Sequence, residues 1–164
     1  MESRMKWLLG SAIAGIAFVV ISAWSLPDPV ASHFGGEGLA NGFMSRGAYT
    51  ALMAVLAGGI PLLLAGSMIA AIKLSGDKIN LPNREYWLAP ERRGETMTWL
   101  IRHTHRFALA LLVFMCCVHW LVLRANALQP PRLEESWFIG GLLAFFLFLA
   151  GWFIRLLLRF RRAH

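Results

Sequence analysis

Four long stretches without a single Asp, Glu, Lys or Arg dominate the chain: Trp7 to Leu26, Gly47 to Ile72, Phe107 to Leu123 and Ser136 to Ile154. A helix rises about 1.5 Å per residue, so about 20 apolar residues cross a hydrocarbon core about 30 Å thick. Each stretch is that long or nearly so. The third is the shortest, and it gains length because Arg124 can direct its charged end outward while Ala125 to Leu128 continue the helix. Strands that cross a membrane are about ten residues of alternating polarity, whereas these stretches are apolar on every face, which leaves helices as the spanning structure. With 57% hydrophobic and only 15% charged residues, the 164-residue chain is also outside the balance of a soluble domain. The expectation is an all-α integral membrane protein, one domain over residues 1–164, with four transmembrane helices at about 7–26, 47–72, 107–128 and 136–158.

Orientation follows from the basic residues, which stay on the cytoplasmic side of short connections. Arg4 and Lys6 precede the first stretch. Lys73, Lys78, Arg84, Arg92, Arg93, Arg102 and Arg106 fall in the connection 73–106, and Arg155, Arg159, Arg161 and Arg162 follow the last stretch, together 13 of the 16 Lys and Arg. The other two connections hold only Arg46, Arg124 and Arg132, beside Asp28, Glu37, Glu134 and Glu135. Both termini and the loop 73–106 are therefore predicted to be cytoplasmic, with the loop 27–46 outside, in a multi-pass protein of the bacterial inner membrane. The net charge of +7 reads as a topology signal and as attraction to anionic headgroups. A nucleic-acid partner is not expected, because the basic residues are dispersed among helix ends. Arg4, Lys6 and the small residues Val30-Ala31-Ser32 also allow a cleaved secretory signal. The first stretch, at 20 residues, exceeds the usual apolar core of about 7–15, which favours a retained span.

In the outer loop, Pro27 and Pro29 end the first helix, and Gly35, Gly36, Gly38 and Asn41-Gly42 are suited to tight turns. Leu26-Pro27-Asp28, His33-Phe34, Gly38 and Asn41-Gly42-Phe43 resemble the pattern of a bacterial membrane-domain family of unknown function, over roughly residues 12–65. The same domain opens the SdpI-type immunity proteins, which protect a cell from its own secreted toxin peptide and sequester a repressor at the membrane. The multi-span immunity module of those proteins is not recognised in this chain. The resemblance implies the helical membrane fold and, more weakly, partner contact through Asp28, His33, Phe34, Asn41 and Phe43. Asp28, His33 and Glu37 match no metal-ligand spacing, and no metal or other cofactor is predicted.

In the cytoplasmic loop, Pro90-Glu91 suits a helix start that runs into the third span. Asn83, Tyr86, Trp87, Glu91 and Arg92 form a candidate docking surface for a cytoplasmic protein, the blander reading being an interfacial anchor. His103 and His105, two residues apart on a helix, point in nearly opposite directions and are expected at the interface or in solvent.

Inside the third span, His119 is the one ionisable side chain deep in an uncharged stretch, where a polar group needs a partner. Cys116, His119 and Asn126 share its helical face. A Cys and His pair can support nucleophilic chemistry, but no HExxH, GxSxG or phosphate-loop motif accompanies it, and no catalytic residue is assigned. Small residues four apart (Ser11 and Gly15, Ala54 and Gly58, Gly66 and Ala70, Gly140 and Ala144) are candidate helix contacts, and Pro61 a candidate kink. The favoured function is non-enzymatic: loop contacts with a protein or peptide, as immunity, signalling or accessory subunit. The alternatives are a transporter or membrane-enzyme component with a polar site around His119, and a small structural subunit of a larger membrane complex.

Overall fold

The computed structural model describes residues 2–75 and 78–161; Arg162 of the basic tail lies outside them. Helix makes up 77% of the described residues. Among the described residues, four helices are long and apolar enough to cross a membrane. The first is Glu2–Ser22, extended by a tighter turn at Ala23–Ser25. The second is Arg46–Ser75, the third Pro90–Asn126 and the fourth Glu135–Arg161. The chain runs up and down, so that the connections after the first and third helices meet at one end, here the hairpin end. The segment before Pro90 and the close of the fourth helix meet at the other, the arginine-rich end.

The all-α expectation misses one element. Val30–Phe34 (β1) and Ala40–Met44 (β2) form an antiparallel hairpin. In a segment that prolines keep out of the helix, backbone amides must find partners outside helical ladders, and a short hairpin provides them. The turn is closed by Gly35 N–H to Leu39 O and Gly38 N–H to Gly35 O, both 2.9 Å, with Gly38 at a left-handed φ of 73°. Asn41-Gly42 is not a turn but part of β2. Gly42 faces His33 so closely that a Cβ there would lie 2.9 Å from the His33 Cβ.

The first three helices pack together around Val19, Ala23, Leu26, Val30, Tyr49, Met53, Ala57 and Val122, with a smaller cluster of Leu8, Ala65 and Ala108 further along. Close approach rests on small residues. A Cβ on Gly58 would fall 2.5 Å from Ile16, and one on Gly15 would just touch Leu112 and Cys116. Gly66 and Gly140, equally suggestive by spacing, face open space. Pro61 acts through a wide turn: Val55–Gly59 is a π segment, in which Ile60 N–H reaches back to Val55 O. Because Pro61 has no N–H to donate, the ladder shifts by one residue ahead of it.

The helices turn many large apolar side chains outward. Trp7, Ile13, Leu63 and Leu147 are each at least 66% exposed, and the most apolar window of the fourth helix has no buried residue. Such surfaces suit lipid rather than water. The fourth helix packs chiefly along the third. At the arginine-rich end His103 and His105 are buried, against expectation, because Trp99 and Trp152 stack on the two faces of the His103 ring at 4.5 and 4.4 Å. His105 turns its Nδ1 to the Ile101 carbonyl at 2.7 Å.

Candidate functional site

The hairpin is fastened to the helix ends at several independent points. Asn126, at the end of the third helix, treats Ala31 as a strand neighbour would: its Oδ1 accepts Ala31 N–H and its Nδ2 donates to Ala31 O, each at 2.9 Å. Nδ2 also reaches Val122 O at 2.9 Å. On the other flank Asp28 accepts the backbone N–H of Arg46 at 3.1 Å, and Ser45 caps the second helix by accepting Ala48 N–H. The Arg46 guanidinium donates to Leu26 O at 3.2 Å and lies 5.8 Å from the centroid of the Trp24 ring. The connection between the third and fourth helices closes the third side. Ala40 N–H donates to Pro131 O, Leu133 N–H to Gly38 O and Arg132 N–H to Ala125 O, at 3.2, 2.8 and 3.2 Å.

Beneath the hairpin, His119 joins the first three helices. Its ring is fully buried. Nε2 lies 2.8 Å from Ser22 Oγ and Nδ1 lies 2.9 Å from Tyr49 OH. The single hydroxyl hydrogen of Ser22 goes to Phe18 O, so at His119 that oxygen can only accept. Nε2 therefore carries the hydrogen, and Nδ1 accepts from the Tyr49 hydroxyl. One neutral tautomer satisfies every group, with Phe18 set edge-on to the ring and Tyr49 near-parallel to it. A histidine with both nitrogens engaged and no exposure has no open position for a substrate proton.

The face of Cys116, His119 and Asn126 thus holds two separate attachments, at His119 and Asn126, and one groove-lining thiol. Cys116 lines an apolar groove of about 520 Å³ with Gly15, Phe18, Leu112 and Trp120. Among the described residues it makes no hydrogen bond to His119, and no cluster of three or more His, Cys, Asp or Glu is placed to hold a metal. Asp28 lines a different groove, of about 490 Å³, with Trp24, Arg46 and Thr50. Of the five loop residues, His33, Asn41 and Phe43 are exposed on the hairpin, Phe43 at 57%. Phe34 is half-buried against the core below.

At the arginine-rich end the candidate docking residues largely serve the protein itself. Asn83, at a left-handed φ of 52°, donates through Nδ2 to the carbonyls of Phe160 and Arg161 at 3.0 and 3.1 Å. Trp87 Nε1 donates to Phe160 O at 3.3 Å. Carbonyls at a helix end lack partners within the helix, and these three contacts supply them. The Arg92 guanidinium covers the Tyr86 ring at 4.0 Å. Glu91, in the first turn of the third helix, is exposed.

Reading for charged groups alone passes over Ser22, Tyr49 and Trp24, and takes Arg46 only as part of the charge count. Ser22 and Tyr49 are hydroxyls inside uncharged stretches, and such groups bridge neighbouring helices; that is the signal that could have found them. Ala31 contributes only backbone and leaves no trace in residue type.

Residues 11–58 match a family model described as a domain of unknown function, DUF1648. The matched domain holds most of the first helix, the whole hairpin and the second helix as far as Gly58, where it crosses the first. It contributes Ser22, Ala31 and Tyr49, whereas His119 and Asn126 come from the third helix, beyond it. Comparison with curated proteins and with solved structures finds no significant match.

Proposed function

We propose that this protein is a non-enzymatic, multi-pass protein of the bacterial inner membrane, with both termini cytoplasmic, that presents the exposed side of its hairpin to a protein or peptide partner. The observation that carries this reading is the contrast between how firmly the hairpin is held and what it leaves outside. Asn126, Asp28 and the backbone of residues 131–133 hold it from three sides, while His33, Asn41 and Phe43 face outward. Ordering a loop before binding lowers the entropy cost of association, and an exposed aromatic on a rigid element is a typical anchor. The orientation is supported by the basic bias of the connections. Among immunity, signalling and accessory roles, the resemblance of this segment to the opening domain of SdpI-type proteins is what points to immunity towards a peptide; the DUF1648 match itself carries no role.

Photo-crosslinking in cells tests this. A photoreactive residue at Phe43 should yield an adduct of defined mass, one at the lipid-facing Leu63 should not, and the Phe43 adduct should weaken in Asn126→Leu. No adduct at Phe43, or equal adducts at both positions, refutes the reading. A small structural subunit is the second reading, favoured by the fourth helix with no buried residue in its apolar window. Migration as a larger assembly of fixed size in mild detergent, with no Phe43 adduct, would select it. A transporter or enzyme centred on His119 is disfavoured by the closed hydrogen bonding of that ring.

A further inference from the structure

The groove along the third and fourth helices at the arginine-rich end combines an apolar wall with two arginines, only one of which is engaged by a hydrogen bond or ion pair among the described residues. It is an open depression of about 540 Å³. Gly151, Ile154 and Leu158 line it, and Trp99, Arg155 and Arg159 stand around it. Nothing approaches Gly151 within 4 Å of where a Cβ would be, so the wall there is open. Arg159 is already committed: it pairs with Glu95 at 2.7 Å and lies 5.1 Å from the centroid of the Trp99 ring. Arg155 is exposed and has no hydrogen-bond or ion-pair partner among the described residues. The surroundings are strongly positive. Residues 84–106 and 155–161 contain eight arginines against Glu85, Glu91 and Glu95.

We infer that this groove binds one anionic phospholipid, its phosphate on Arg155 and an acyl chain along Gly151, Ile154 and Leu158. A guanidinium pairs with phosphate through parallel hydrogen bonds, and tryptophan favours the depth of the headgroups. Basic pockets between membrane helices are suited to anionic headgroups. The apolar wall belongs to a helix whose exposed side suits lipid, so the occupant carries a chain as well as a charge. The inference is independent of the hairpin and of any partner there.

The test uses the full chain in neutral detergent, with native mass spectrometry after addition of phosphatidylglycerol, phosphatidylcholine or inorganic phosphate. One phosphatidylglycerol should be retained in preference to phosphatidylcholine. Arg155→Gln should weaken that retention by about tenfold or more, the loss expected for a charged hydrogen-bond partner. Arg132→Gln, at the hairpin end, should leave it unchanged. Ile154→Trp, which fills the groove and keeps every charge, should also weaken it. Equal retention of phosphatidylcholine overturns the inference, as does indifference to Arg155→Gln. Displacement of the lipid by millimolar inorganic phosphate would show an anion site without a chain and would overturn it too.

Discussion

Asn126→Leu removes the side chain that completes the hydrogen bonding of Ala31 while keeping the same number and branching of side-chain heavy atoms. In the native protein Ala31 is fully buried, and both its N–H and its C=O are paired with Asn126. Leucine leaves both groups without partners. A buried donor or acceptor stranded in this way costs about 1–3 kcal/mol, so the two together should destabilise the hairpin by about 2–6 kcal/mol. The bond to Val122 O adds little, because that carbonyl also serves the helix ladder. The cost should appear locally, since the helix crossings at Gly58 and Gly15 are untouched. Hydrogen exchange in detergent reads it directly: at about tenfold per 1.4 kcal/mol, amide protection in β1 should fall by at least about 30-fold, with the helix cores unchanged. Asn126→Asp sharpens the test. It can still accept Ala31 N–H but turns a carboxylate towards Ala31 O, so it should be at least as damaging as leucine despite its closer likeness to asparagine. Protection in β1 unchanged in Asn126→Leu would refute the view that this residue holds the hairpin.

His119→Phe should destabilise the protein by about 1–3 kcal/mol by stranding the buried Tyr49 hydroxyl. Adding Tyr49→Phe should recover part of that loss in thermal unfolding, because no polar group then remains unpaired. If the double variant is stable but loses the Phe43 crosslink, His119 does more than hold helices together. Gly38→Ala combines a left-handed φ of 73° with a Cβ placed 2.4 Å from Leu133 O. It should free the connection 127–134 from the hairpin turn, seen as faster proteolysis there. Asn83→Ala removes the donor to Phe160 and Arg161 but keeps a β-carbon at φ 52°. Asn83→Gly removes the donor and the β-carbon together. Exchange at the end of the fourth helix should rise in both, and alanine should cost about 1 kcal/mol more in stability through its left-handed backbone. Equal stability of the two variants would show that the conformation at position 83 carries no strain.

What can be read from the chain alone divides along a physical line. The four helices are legible because uncharged length is a property of composition, and a lipid solvent demands it independently of what each helix touches. The hairpin is hidden because its stability comes from Asn126, Asp28 and the backbone of residues 131–133. Two of these three lie about a hundred residues away in the chain, and the five-residue strands themselves carry little alternation. Asn41-Gly42 has the composition of a turn, and only the approach of His33 reveals why glycine stands in β2. The face of Cys116, His119 and Asn126 follows from helical period, but which neighbour each one meets depends on how the helices are rotated against one another. That rotation is set by Gly58 against Ile16 and Gly15 against Leu112, while Gly66 and Gly140 have the same spacing signature and touch nothing. Spacing identifies residues that permit close approach. Only the partner's shape decides which of them are used, and with them whether a buried histidine faces a substrate or, as here, a serine and a tyrosine.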